Sequence, residues 1–216
     1  MTKELTEITD SGVSSKGSRY RKSLHAYESP INSTDNQIIV ELSSFAKPFP
    51  SETRSIQPMI GSYLEEINRP NFLDEYKLHS FEINVLDKKQ TMLEKLVSII
   101  RFSYASNYRQ ALSEKIRHFY DLHFLYQNKE CHLFLNSSDF NVTFNELIKH
   151  DRLAFDNPRN WVDKSLSESP LITDFKSIWD DLSEKYESEL SIYAYRQIPE
   201  NEDIYMSLKS ILARLK

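Results

Sequence analysis

Two segments of this chain set charged residues among apolar ones in stretches that read as core helices. They are Thr91-Met92-Leu93-Glu94-Lys95-Leu96 and Lys115-Ile116-Arg117-His118-Phe119-Tyr120-Asp121-Leu122. A buried ammonium or carboxylate is costly unless it is paired or used, so such residues have a partner or a job. Lys95 lies one residue from the centre of the face defined by Met92, Leu96, Ile99 and Ile100. Its ammonium could project along the edge of the core into a cleft. Spacing alone favours the plainer alternative, a surface lysine that pairs with Glu94 or snorkels. Asp121 could face a metal, a phosphate-bound lysine or a hydroxyl. Its plainer alternative is an ion pair with Arg117, the i−4 neighbour on one helix face, and spacing leans that way too. Glu41 sits inside Ile38-Ile39-Val40-Glu41-Leu42, a run typical of a strand buried on both faces. Converging strand carboxylates are a normal way to bind Mg²⁺, although one carboxylate makes no site.

Other chemistries find little support. The three glycines, Gly12, Gly17 and Gly61, cannot write a G-x-G-x-x-G or a G-x-x-x-x-G-K-[ST] loop, which rejects Rossmann and Walker-type readings. The six histidines show no zinc spacing, and His118 and His123 lie five apart, off one helical face. Cys131 has no neighbour that marks a catalytic thiol, and as the single cysteine it excludes an internal disulfide. The cluster Arg19, Arg21, Lys22 with Tyr20 and Tyr27 could meet a phosphate backbone, but a solvated basic strand edge explains it as well.

The elements that must position these residues divide the chain. Its 216 residues suffice for one large domain or two small ones sharing a core. A net charge of −5 argues against a generally basic nucleic-acid-coating protein. No stretch approaches the roughly 18 apolar residues of a membrane span, so a soluble cytoplasmic protein is expected. Residues 1–18, polar and broken by Ser-Gly and Lys-Gly-Ser, read as a flexible N-terminus. Residues 19–90 read as a β-rich part, with strands over 19–27, 37–45 (closed by Pro48 and Pro50) and 77–86 and a short helix over 58–68. The Phe81-Ile83-Val85 face of the 77–86 strand is expected to point inward. Residues 91–216 read as an α-helical domain with helices over 91–104, 113–126, 137–150, 172–190 and 203–215. Thr91-x-x-Glu94 looks like a capping box for the first of them. The fold class is α+β.

Glu94-Lys95-Leu96, a spacer, then Arg117-His118-Phe119-Tyr120-Asp121-Leu122, after a strand ending Ile83-Asn84-Val85-Leu86, resembles the AbiEii/AbiGii nucleotidyltransferase toxins. Ile39-Val40-Glu41-Leu42 and the proline-containing loop behind it are also similar. The resemblance covers roughly residues 10–190 and places the chain among the DNA polymerase β-like nucleotidyltransferases. It implies a partial nucleotidyltransferase-like mixed β-sheet followed by the helical domain. The implied activity is Mg²⁺-dependent transfer of a nucleotide from an NTP to an acceptor such as tRNA. The implied setting is a bacterial toxin–antitoxin, phage-defence (abortive infection) system with a cognate antitoxin protein. Carried onto this sequence, Lys95 would contact the triphosphate with Arg117 beside it, Asp121 would be the essential later carboxylate, and Glu41 would match the third, metal-binding carboxylate. The family's first motif, Gly-Ser, about ten residues and Asp-x-Asp/Glu, has no counterpart. Gly17-Ser18 leads to no Asp-x-Asp, and Gly61-Ser62 reaches only Asp74-Glu75. The expectation is therefore the C-terminal two-thirds of such an enzyme, inactive as this chain, with a non-catalytic nucleotide-, RNA- or protein-binding module as the alternative. A sheet edge left open by absent strands would favour a homodimer.

Overall fold

The computed structural model describes the backbone of residues 6–14, 17–25 and 37–43, and residues 50–159, 161–194 and 197–215. Five strands come early among the described residues: β1 (Thr6–Ser14), β2 (Gly17–His25), β3 (Gln37–Ser43), β4 (Ser51–Ile56) and β5 (Phe81–Leu86). Two short helices, α1 (Met59–Glu66) and α2 (Asn71–Tyr76), lie between β4 and β5. Eight α-helices follow among the described residues: α3 (Lys88–Phe102), α4 (Tyr108–Ser113), α5 (Ile116–Gln127), α6 (Lys129–Leu135), α7 (Ser138–Ala154), α8 (Pro170–Thr173), α9 (Phe175–Tyr193) and α10 (Asn201–Ala213). The chain is α+β, and past β5 the described elements are helical.

Several elements differ from the sequence expectation for identifiable reasons. Thr6–Ser14 is a strand, not a loop, because it pairs in unbroken antiparallel register with β2, from Thr6 opposite His25 to Ser14 opposite Gly17. Gly17-Ser18 therefore opens a strand. Among the described residues β3 pairs only with β2, so Glu41 is on an edge strand and not a central one. Tyr27, Phe45 and Pro48 lie outside the described residues. The alternation of β5 does not point inward: Phe81 is 52 % exposed and Ile83 37 %. Its sole partner strand among those described is β4, and a two-stranded ribbon has too little material to cover a face.

Gly61-Ser62 lies inside α1, and packing explains its glycine. A Cβ built on Gly61 would stand 2.5 Å from the Leu78 carbonyl oxygen, a backbone atom that cannot swing away. Gly61→Ala gains about 1 kcal/mol of helix propensity, but overpacking costs about 1–3 kcal/mol, here at the upper end. A net fall in melting temperature is expected; an unchanged or higher one would show that α1 moves freely off Leu78.

The core belongs to the helices. Met92, Leu93, Leu96, Val97, Ile99 and Ile100 of α3 are buried, and they meet Ile116, Phe119 and Leu122 of α5. α5 packs against α3, α6, α9 and α10, and α3 against α4, α5, α6 and α7, so these two helices share the centre. Phe119 reaches Trp179 of α9 with ring centroids 5.7 Å apart, and Trp179 in turn meets Tyr186 at 5.5 Å. The N-terminus of α3 comes three residues earlier than the Thr91 pattern suggests. Asp87 caps it by accepting from the Lys89 and Gln90 amides, and Thr91 Oγ1 donates to the Asp87 carbonyl from one turn inside.

Candidate functional site

α3 and α5 run side by side because both bury apolar stripes in the same core, and this brings their charged residues together. Neighbouring residues on a helix point about 100° apart. With Met92, Leu96 and Ile99 facing inward, Glu94 and Lys95 therefore leave the core on opposite flanks. Glu94 leans toward Gln90, whose Nε2 donates to its Oε1 at 3.0 Å. Burial first, then the Asp151 carboxylate, pushes the Glu94 pKa up. Lys95 turns the other way, to α5. Its Nζ donates to Asp121 Oδ2 at 2.6 Å, across 26 residues of sequence. The Lys95 side chain is 23 % exposed and that of Asp121 38 %, so the pair is largely covered yet still reachable from solvent. Spacing had favoured Glu94 for Lys95 and Arg117 for Asp121. The tertiary structure joins the two motif residues to each other, and Arg117 stands on an exposed position of α5.

The pair forms one lip of a groove of about 510 Å³, whose walls include Thr91, Tyr120, Phe124, Leu125 and Asn128. Behind it lies His118, whose pKa is pushed down to about 4 by burial first and then by the cations Lys95 and Lys115. Its buried Nδ1 has no hydrogen-bond partner among the described residues. Arg101 is set over the rings of Phe155 at 4.0 Å and Phe102 at 4.9 Å, and Lys115 over Phe102 at 4.7 Å. Lys95, Lys115 and Arg101 all act on the His118 imidazole, so three cations gather at this corner, which suits an anion. A lysine is a point-charge phosphate binder, and of Lys95's three ammonium donors Asp121 occupies one.

The donor set for a metal is weaker. Among the described residues no group of three or more His, Cys, Asp or Glu side chains gathers to hold an ion. Asp121 is a single carboxylate already tied to an ammonium. Glu41 stands opposite Arg21 in the β2–β3 register, and its side chain lies outside the described residues. These residues do not fit the two-metal centre that the sequence resemblance implies, since such a centre needs several carboxylates around paired ions.

Sequence reasoning missed the groove itself. Tyr120, Phe124 and Asn128 recur at i, i+4 and i+8 along the outside of α5, and His118, Asp121 and Leu125 at i, i+3 and i+7. That pattern was readable once α5 was known to present a second, outward face. No helix among the described residues is long and apolar enough to cross a membrane.

No curated protein and no solved structure matches this chain. The family described as nucleotidyl transferase AbiEii toxin, type IV TA system, matches residues 2–201, nearly the whole length. The chain belongs to the AbiEii nucleotidyltransferase toxin family of toxin–antitoxin systems.

Proposed function

We propose that the groove between α3 and α5 binds a nucleoside triphosphate, with Lys95 on its phosphates and Asp121 holding the ammonium in place. The observation that carries this is the 2.6 Å contact between Lys95 and Asp121 at the mouth of an open groove. A lysine held by a carboxylate is preorganised, and phosphate oxygens can take its remaining donors without moving it. Arg117, on the exposed side of α5 near Asp121, is the second cation for the phosphates or for an acceptor's backbone. The acceptor is an RNA such as tRNA, the setting a bacterial defence system with a cognate antitoxin, and the compartment the cytoplasm.

This chain binds the nucleotide but does not transfer it unaided. Transfer by two metal ions requires the Asp-x-Asp ligands, and no such pair follows either Gly-Ser in the sequence. The test joins binding with turnover. NTPs with Mg²⁺ should raise the melting temperature of the wild type, and Lys95→Met should abolish that rise without unfolding the protein. Labelled NTP incubated with the purified chain and tRNA should leave the tRNA unlabelled. An NTP effect indifferent to Lys95→Met would overturn the site, and labelling abolished by Lys95→Met would overturn the inactivity.

A further inference from the structure

We propose that the groove beside the Lys95–Asp121 pair is a nucleobase subsite, with the Phe124 ring as its stacking face and the Asn128 amide as its edge donor. It rests on the nucleotide reading above and adds what that reading leaves open, namely which residues meet the base.

Phe124 is 46 % exposed at the groove wall, more open than Phe119, Tyr120 or Tyr126 on the same helix. Its ring is held still all the same. Tyr120 tilts against it at 60° with centroids 4.8 Å apart, and the His123 ring meets it edge-on at 5.1 Å. His123 is itself fixed, its Nδ1 2.9 Å from Ser207 Oγ and its Nε2 2.9 Å from Gln127 Nε2. A braced, half-bare ring loses little freedom when a flat partner settles on it, which makes it a good platform for any base.

The polar rim fits the edge of a base. Asn128 Oδ1 caps α6 by accepting from the Glu130 and Cys131 amides, so its orientation is set and its Nδ2 is the atom left to the groove. Thr91 Oγ1 spends its proton on the Asp87 carbonyl and keeps lone pairs for an N–H. An apolar shelf with a donor, an acceptor and a cation around it matches a nucleobase carrying phosphates. A lipid tail would have no use for the rim, and an apolar peptide none for the cation.

The base could come from the NTP or from the unpaired end of an RNA strand, and one experiment separates them. The full chain is titrated with sodium tripolyphosphate, with each of the four NTPs, and with a single-stranded triribonucleotide bearing hydroxyls at both ends. Phe124→Leu keeps an apolar side chain and removes the ring. Asn128→Ser keeps a capping oxygen and removes the amide donor. Phe124→Leu should weaken base-bearing ligands by about tenfold, as the loss of one stacked base does, and leave tripolyphosphate unchanged. Asn128→Ser should act in the same sense with a smaller factor. Weakened NTPs assign the subsite to the nucleotide's base, and weakened trinucleotide alone assigns it to the acceptor. NTP and trinucleotide binding indifferent to Phe124→Leu, or weakened equally with tripolyphosphate, would overturn the subsite. Tripolyphosphate binding indifferent to Lys95→Met would instead overturn the nucleotide reading, and no binding by any ligand would overturn both.

Discussion

Replacing Phe119 by alanine should lower the stability of the folded chain by about 3–5 kcal/mol, the usual cost of deleting a fully buried aromatic ring. Phe119 has no exposed surface and sits where α5 crosses α9, against Trp179. Trp179 cannot collapse into the space. Its indole Nε1 donates to the Asn201 carbonyl at the start of α10, and Tyr186, next along α9, donates from its hydroxyl to the Pro199 carbonyl. The cavity therefore stays open, which puts the loss toward the upper end. A domain of this kind has about 5–15 kcal/mol of total stability, so the variant should melt well below the wild type. The consequence reaches the site, because Phe119 fixes the rotation of α5 and with it the direction of Asp121. Urea unfolding of both proteins measures the first effect, and NTP binding by whatever variant remains folded measures the second. A loss below about 1 kcal/mol would mean that α5 and α9 can repack, and the rigid presentation of Asp121 would fall with it.

How far this was legible beforehand depends on the range of the interaction concerned. The helices over α3, α5, α7, α9 and α10 were readable because each carries an apolar period long enough to stand out. α4 and α6 were not, being only six and seven residues long. Their one local sign is an asparagine cap, Asn107 and Asn128, each accepting an amide of the first turn. The start of α3 went to Thr91 because Thr-x-x-Glu mimics a capping box, while Asp87 holds the true cap and Glu94 is turned toward Gln90. The alternation of Phe81, Ile83 and Val85 was real, but alternation reports that two faces differ and not that either is covered. Lys95 and Asp121 stood out only as members of an ordered motif pair. Spacing favoured nearer partners for both, since a contact across 26 residues leaves no trace in local periodicity. Phe124 and Asn128 carried no sign of a groove until α5 had a buried face against which an outer one could be defined.

Acidification should destabilise the wild type through His118, and His118→Gln should remove that sensitivity. In the unfolded chain an imidazole takes up its proton near pH 6.5, whereas His118 in the fold resists protonation until about pH 4. Between those values the unfolded state binds more protons than the folded one, so stability falls as the pH falls. Above pH 6.5 both states are neutral and the residue contributes nothing. The slope approaches about 1.4 kcal/mol per pH unit, and over the window the cost is on the order of 2–3 kcal/mol. The neighbours explain why a proton is unwelcome: Lys95, Lys115 and Arg101 all oppose it, and Asp121 alone favours it. Glu94 works in the opposite sense. Its raised pKa means that acid relieves a buried carboxylate in the fold, and this gain is common to both proteins. The difference between wild type and His118→Gln therefore isolates the imidazole. Urea unfolding at pH 7 and pH 4.5 should show the wild type losing roughly 2 kcal/mol more than the variant. Parallel losses would mean that His118 protonates freely in the fold, and that the three cations do not press on it as closely as their positions require.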